Sequence, residues 1–467
     1  MTSKQTNGAL GKGFPLEELS WTITKNASIV SQYLDANHLP QPSLDADGPS
    51  TILPNDSPRG IQQARQRLIS ASLEILQLAI GPSEFLPNLS TSNAEFEVDR
   101  NAHHSPKFQY ISCLDWLCRF RIFHLVPLTG IPISYADLAV AAGVPERRLI
   151  SIARMAMTNA VFREQDGGTH IMHSAISALL ARNENVYAYA TYMCSRSALM
   201  AMHLGAAHQR WGPATVRPYE TAYNVAFDTD LPFFDHISRD ETKMREFAAY
   251  MKNVRSSDAM HLKHLVSGFR WRDIPDGGIV VDVGGSTGSS AIALAEAFPH
   301  LTFIVQDLPA NAENGRKSAA KTHPESITSR LSFQGHDFTK PQPVHGADVY
   351  LLRMILHDWP DDKAAEVVRN IVAAMDVKKS RLLIMETMLP EPGSVPISVE
   401  RIVRARDLTM MQAFNSKERS LDDFEYLLGL ADPRAKLVGV VQPLGSAMSV
   451  LEVALDPERG MEEGTVA

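Results

Sequence analysis

The apolar positions of this chain change period partway along it. From Leu16 to Trp271 they recur every three or four residues, the spacing of amphipathic helices. From Ile279 onward, short β-branched runs alternate with helical stretches. The helical half opens with Leu16 to Leu34 and Ile61 to Ile80. Between them, Pro40, Pro42, Pro49, Pro54 and Pro58 stand among Asp, Ser and Gly, a surface linker rather than an element. A second polar stretch, Asn88 to Pro106, closes a leading region, 1–106. Two helices cannot enclose a core alone, so this pair should pack elsewhere, with a second subunit as the candidate.

Phe108 to Phe123 sets Tyr110, Trp116, Phe120 and Phe123 at helical spacing. Ile133 to Ile150 then reads as helix, turn, helix. Val161-Phe-Arg-Glu and His170-Ile-Met-His follow as a small hairpin about Asp166-Gly-Gly168. This looks like a winged helix, a fold used on DNA and also for dimerisation. Glu146, Arg147, Arg148 and Arg154 make only a modest basic face, better read as solvated than as a DNA surface. Val186 to Ala207 is a long helix rich in Tyr and Met. Most of it belongs in a core, and part of its face could line a pocket for a flat ligand. Asn224 to Phe234 and Met244 to Trp271 complete a mainly helical domain, 107–270.

The strands of the last domain, 271–467, are Ile279–Val283, Leu301–Val305 running on to Asp307, Leu331–Gln334, Val349–Leu352 and Arg381–Met385. A terminal hairpin, Lys436–Val441 with Ala447–Glu452, turns about Gln442-Pro-Leu-Gly-Ser446. The expected fold is α/β: a doubly wound, Rossmann-like sheet with an antiparallel terminal hairpin. Ahead of it stands the mainly helical, winged-helix-like domain. Ligands of such a sheet belong at the carboxyl ends of its strands.

Composition narrows the function. The net charge is -8 and no basic block accompanies it, which disfavours nucleic acid as a partner. No 18-residue apolar run and no apolar leader occur, so a soluble cytosolic protein is expected. Cys113, Cys118 and Cys194 have no metal or redox spacing, and no metal is expected. The sequons at Asn26 and Asn88 are then chance matches.

The most informative stretch is Gly278 to Gly288, Gly-Ile-Val-Val-Asp-Val-Gly-Gly-Ser-Thr-Gly. A buried strand stops at Gly284-Gly285, and Ser289 to Phe298 continues as an amphipathic helix. Ser286 occupies the position where a dinucleotide fingerprint needs its second glycine spacing, and no Gly-Lys-Ser/Thr phosphate loop is present. Asp307 lies at the tip of the second strand, where a carboxylate can grip two ribose hydroxyls. The unit is thus a nucleoside site, the alternative being a structural turn without a ligand. Reading the other strand ends adds Leu308, then Asp337 and Phe338 for an adenine amino group and ring. Arg353 follows for a carboxylate, then His357 and Asp358, and finally Glu386.

Asp282-Val-Gly-Gly-Ser-Thr-Gly288 looks like motif I of the S-adenosylmethionine-dependent methyltransferases. Together with Leu356-His-Asp-Trp-Pro-Asp361, it resembles the caffeate-type small-molecule O-methyltransferases, in particular their fungal secondary-metabolism branch. The resemblance covers Phe108 to Glu452. It implies S-adenosylmethionine as cofactor, held by Gly284, Gly285, Gly288, Asp307, Leu308, Asp337, Phe338 and Arg353. It implies His357 as catalytic base, flanked by Glu386 and by Glu418 of Asn415-Ser-Lys-Glu-Arg419, with Met354, Asp358, Met411 and Asn415 toward the substrate. Arg353 stands where plant relatives have lysine, and Ser286-Thr287 departs slightly from the commoner turn. Read without the resemblance, Glu418 beside Arg419 is equally a solvated charge at a helix start.

The expected reaction is methyl transfer to a phenol or enol of an aromatic or polyketide-type metabolite by a homodimeric enzyme. A histidine pKa near 6 to 7 is expected if its surroundings shift it little. Two readings compete with this one. Relatives of this fold can act as pericyclases or dehydratases without transferring methyl. A winged-helix regulator with a vestigial domain is the third possibility, disfavoured by the acidic charge.

Overall fold

The computed structural model describes residues 15–42, 49, 52–54, 57–91, 106–395, 397–456 and 458. They belong to two compact units, Met1–Leu89 with Phe120–Arg182, and Ser90–Arg119 with Asn183–Ala467.

In the larger unit a seven-stranded sheet is formed by β1 (Ile279–Val283), β2 (Thr302–Asp307), β3 (Leu331–Gly335), β4 (Val349–Arg353), β5 (Arg381–Glu386), β6 (Ala435–Val441) and β7 (Ser449–Leu455). The spatial order is β3-β2-β1-β4-β5-β7-β6. The first five strands run parallel, and β7 pairs antiparallel with both β5 and β6. Period-two alternation decides which side chain meets which layer. Val281, Val283, Tyr350, Leu352, Leu382 and Ile384 pack on helices Asp361–Val372 and Leu421–Ala431. Val280, Phe303, Leu351 and Leu383 face Ser289–Ala297 and Trp271 on the other side. Because both faces are covered, the central strands are mostly apolar, as the β-branched runs foretold, with Asp282 the buried carboxylate within β1. Each such fully buried aliphatic side chain contributes about 1.5 to 3 kcal/mol.

Two predicted helices are interrupted. The aromatic helix ends at Arg119, and Ile122–Leu125 restarts after Arg121, whose φ of 53° cannot continue a right-handed turn. The Tyr- and Met-rich helix is Glu184–Tyr192, a π-turn Met193–Ser197, then Ala198–Trp211. Hydrophobic spacing carries across both breaks, which hid them in the sequence. The predicted helix Ile61 to Ile80 is continuous within Arg59–Thr91, which kinks just beyond it at Gly81, where φ is 68°.

In the smaller unit, helices Tyr135–Ala142 and Glu146–Met157 precede a hairpin of Arg163–Gln165 and His170–Met172. Ile133–Ser134 adds a third strand. Arg154 donates to Glu164 at 2.7 Å, so part of the basic face is already neutralised. In helix Pro15–Ala36, Val30 and Leu34 form a small cluster with Ala64. Asn26 lies buried there with its amide on the Thr22 carbonyl, a poor glycan acceptor. Among the described residues no helix is long and apolar enough to cross a membrane. The stretch 92–105, most of the predicted polar segment before Pro106, lies outside the described residues.

Candidate active site

The parallel strands end together, and the rim they form carries the glycine turn, Asp307, Leu308, Asp337, Phe338, Arg353 to Asp358 and Glu386, while Met411, Asn415 and Glu418 come from helix Ile397–Phe414 and the segment after it. On the β1–β3 side the turn after β1 folds back on β2. Gly284 and Gly285 donate their N–H groups to the Gln306 carbonyl at 2.8 and 3.0 Å. A Cβ on Gly285 would lie 2.6 Å from the Asp282 carboxyl group, so only glycine lets the turn close on that side chain. Gly288 caps the following helix with φ of 81°. Ser286 sits at φ 54°, and its N–H donates to Asp307 Oδ2 at 2.8 Å. Asp307 Oδ1 accepts from Leu308 N–H and from Asn311 Nδ2, each at 2.8 Å. Three of the carboxylate's roughly four acceptor positions are thus used, which fixes its direction. Leu308 is exposed on the rim. Asp337 Oδ1 accepts from Thr339, and Phe338 meets Trp359 edge-on at 5.8 Å.

Behind this cradle lie charges with open valences. Asp282 is buried, and its Oδ2 has no partner among the described residues. Burial raises its pKa to about 6 against the opposing pull of Arg353. Arg353 donates to the Met260 carbonyl at 2.8 Å while its Nε finds no acceptor. Burial lowers its pKa to about 10, which leaves it charged at neutral pH. Arg255, from helix Glu241–Ser256, joins them: burial lowers its pKa while Asp282, Asp307 and Asp358 oppose the shift. Sequence reasoning missed Arg255, because a basic residue in the last turn of a helix is ordinary. Bare backbone, a fixed carboxylate and unpaired cations suit a ligand carrying ribose hydroxyls and a carboxylate.

The β4–β5 side is denser in charge. Met354, at φ 57°, turns the chain sharply out of β4 and donates its N–H to the Met385 carbonyl at 3.1 Å. The turn delivers His357, whose side chain is 11% exposed. Nδ1 donates to Glu418 Oε1 at 3.3 Å, and Glu386 Oε2 lies 3.3 Å from the same nitrogen. Asp358 Oδ1 stands 3.5 Å from Nε2. The two glutamates divide the work. Glu386 Oε1 accepts from the N–H groups of Ile355 and Leu356 at 2.7 and 2.8 Å, so it holds the turn as well as facing the ring. Glu418 takes the imidazole hydrogen bond and is itself buried, not a solvated helix-start charge.

Three carboxylates about one imidazole reverse the expected titration. Burial alone would lower the His357 pKa, but Glu386, Asp358 and Glu418 together push it up to about 10. The value near 6 to 7 expected from the sequence is therefore wrong, and the resting ring is an imidazolium at neutral pH. Burial and the two glutamates raise Asp358 to about 7 against the histidine's pull, so the cluster titrates as a unit.

Arg419, 1% exposed, organises this side and was not singled out by its sequence. It donates to the carbonyls of Leu356 and Trp359 at 2.7 and 2.8 Å and to Asp361 Oδ1 through Nε and an Nη. Its backbone bridges Met388 beyond β5, which brings Glu418 to the histidine. Asn415 gives its amide to the carbonyls of Arg217 and Glu220 at 2.8 and 3.1 Å, and Met411 lies one turn earlier on helix Ile397–Phe414, partly exposed. His357, Glu386 and Glu418 also have a donor set that could hold a metal, their ligand atoms lying within 4.8 Å of one another.

The seven-stranded sheet and its nucleoside cradle define a methyltransferase-type α/β domain. Residues 202–432 match the model of the O-methyltransferase domain. The chain is 62% identical over 441 residues to O-methyltransferase pgmB of Aspergillus terreus, covering 94% of this chain and 96% of that protein. It is 41% identical over 458 residues to O-methyltransferase aurJ of Gibberella zeae, covering 97% and 100%. The crystal structure of OxaC in complex with sinefungin and meleagrin superposes with a TM-score of 0.66 at 21% identity, covering 94% of this chain and 99% of that one. The chain belongs to the S-adenosylmethionine-dependent O-methyltransferases of fungal secondary metabolism.

Proposed function

We propose that the acceptor is a phenol or enol of an aromatic or polyketide-type metabolite and that His357 manages its proton. The observation that carries this reading is the single imidazole held by Glu418 and Glu386 at the end of β4, next to the glycine turn. Bound S-adenosylmethionine supplies the electrophilic methyl group. Gly284, Gly285, Gly288, Asp307, Leu308, Asp337 and Phe338 would hold its adenosine, and Arg353 with Arg255 its carboxylate. The open donor valence of Arg353 Nε fits the carboxylate, and the open acceptor Asp282 Oδ2 would suit the cofactor's ammonium group.

With Nδ1–H committed to Glu418, Nε2 faces the acceptor beside Asp358. A phenol has a pKa near 10, close to that of this imidazole, so the proton is shared at little free-energy cost. A phenolate meeting the imidazolium reaches the same pair as a phenol meeting the neutral ring. Either way the acceptor oxygen is an oxyanion held by Nε2–H, and the carboxylates balance the cation. Asp358, Met354, Met411 and Asn415 would border the substrate, Asn415 by fixing the 217–220 loop. General acid–base help of this kind is worth about 10² to 10⁴ in rate. Release of S-adenosylhomocysteine with a host extract, followed by mass spectrometry of the product, tests it. Product formed without cofactor consumption would favour a pericyclic reaction instead, which the intact cluster disfavours.

The enzyme is proposed to act as a cytosolic homodimer. In the smaller unit Trp21, Ile131 and Val140 are 64%, 66% and 84% exposed, apolar side chains that a second copy would cover. Cys113, Cys118 and Cys194 are free thiols, which suits a reducing compartment. Light scattering that finds only a 51.5 kDa species at micromolar concentration would refute the dimer.

A further inference from the structure

Arg406 is the half-buried cation of the larger unit that the chemistry above leaves unused. It lies on helix Ile397–Phe414, and one Nη donates to Thr387 Oγ1 at 3.1 Å and to Met260 Sδ at 3.3 Å. Thr387 directly follows Glu386, so this guanidinium is anchored one residue from the histidine's partner. Met260 gives its carbonyl to Arg353, the cation assigned to the cofactor. Among the described residues Arg406 has no carboxylate partner, and Nε and the second Nη are unused. A hydroxyl and a thioether are weak, neutral acceptors for a guanidinium, and this side chain is only half-buried, so its remaining N–H groups are open to a ligand. By contrast, Arg404 and Arg419 on neighbouring segments each hold a carboxylate at 3.1 Å or closer.

Helix Ile397–Phe414 packs on helix Ala198–Trp211, and the segment running into that helix carries an aromatic wall. Tyr189 and Tyr192 stack on Tyr250, with ring centroids 5.2 and 4.4 Å apart, and Phe247 continues the row. The charge of Arg406 reaches both Tyr189 and Tyr250, though burial raises their pKa overall. Neither phenol hydroxyl makes a hydrogen bond among the described residues. The π-turn Met193–Ser197 directly follows Tyr192, and such turns cluster at functional sites. The wall offers flat ring faces, and among the described residues Arg406 holds no carboxylate and the Tyr189 and Tyr250 hydroxyls make no hydrogen bond.

The geometry points to Arg406 as an anion-binding residue that selects acceptors bearing a second acidic oxygen besides the hydroxyl to be methylated. A carboxylate or an ionised 1,3-dicarbonyl enol on a fused aromatic acceptor supplies what Nε and the free Nη lack. The inference rests on methyl transfer to an aromatic hydroxyl and names the substrate class for that site. Arg406 does not touch the reacting atoms; it is a specificity residue.

The test uses the full chain saturated with S-adenosylhomocysteine and titrated calorimetrically with 3-hydroxy-2-naphthoate and with 2-naphthol. The two probes share the fused ring and one hydroxyl and differ by a carboxylate. Wild type should bind the naphthoate at least ~10-fold more tightly, as expected for charge-assisted hydrogen bonds. Arg406→Met should abolish the difference, Arg406→Lys should keep part of it, and both should bind S-adenosylhomocysteine like wild type. No preference in wild type, including no binding of either probe, overturns the proposal even if the variants misfold. So does a preference that survives in Arg406→Met. A loss of S-adenosylhomocysteine affinity in Arg406→Met equal to its loss for the naphthoate would make Arg406 a cofactor residue and also sink the idea. Failure of methyl transfer itself reads separately, as absent S-adenosylhomocysteine release from wild type with any acceptor.

Discussion

On the β1–β3 side of the rim, the polar contacts link neighbours in the chain or in adjacent strands. Asp307 is held by Leu308 and Asn311, one and four residues on, and by Ser286 across a single strand pairing. On the β4–β5 side, His357 is held by Glu418, 61 residues away, and its turn by Glu386, about 30 residues from the amides it accepts. The first side presents backbone and the fixed Asp307 to a ligand, with the buried Asp282 and Arg353 standing behind it. The second packs three carboxylates around one ring and pushes its pKa up to about 10. A cradle for a common nucleoside can be built from local geometry. A proton-handling site needs low dielectric and several charges at once, which only distant segments can bring together.

The comparison breaks most readily at His357. His357→Gln should cut turnover by 10²-fold or more, toward ~10⁴, while S-adenosylhomocysteine affinity by calorimetry stays at the wild-type value. Retention of most activity would mean that the charge-dense side does not handle the proton. Next in size, Arg419→Met should lower unfolding free energy by about 3 kcal/mol, because Asp361 and two buried carbonyls lose their donor. Urea denaturation measures this; a loss under about 1 kcal/mol would show that the turn holds itself.

Asp307→Ala sharpens the other side. It should weaken cofactor binding by about 1.5 to 3 kcal/mol and leave the turnover at saturating cofactor nearly intact. Unchanged affinity would move the ribose contact elsewhere. The smallest effect is on stability against pH. Since the folded His357 binds its proton more tightly than an unfolded histidine, its stabilisation is full below about pH 6.5 and is lost as pH rises toward about 10. Asp358, raised to about 7, adds loss of the same sign from about pH 4 to 7. Thermal unfolding should therefore weaken between pH 7 and 10 in the wild type and less so in Glu386→Gln. Equal slopes in both would separate Glu386 from the histidine's charge.

Much of the site was legible residue by residue. The β-branched run of β1, the glycine turn and Asp307 could be read because they obey local rules of strand burial and backbone freedom. The hairpin β6–β7 appeared with three of its four ends shifted by one to three residues, since the side-chain period is set before the register is. Glu386 and Glu418 were found by their motifs, but their separate tasks were not. Nothing in Glu386 says that it will accept two backbone amides from the turn after β4. Arg419 entered only as the neighbour of Glu418, because nothing local marks an arginine for burial. The breaks at Arg121 and after Tyr192 escaped notice because hydrophobic spacing persists through a change of backbone turn.

By itself the sequence determined the order of elements, the apolar faces and the identity of the chemical groups, because these depend on neighbours a few residues apart. Tertiary structure alone decided that three carboxylates push the His357 pKa upward, that Arg419 is interior and that, among the described residues, Arg406 has no carboxylate partner. A pKa or an unpaired charge depends on every group within a few ångströms and on the exclusion of water, and here those groups come from segments scattered between Tyr189 and Arg419.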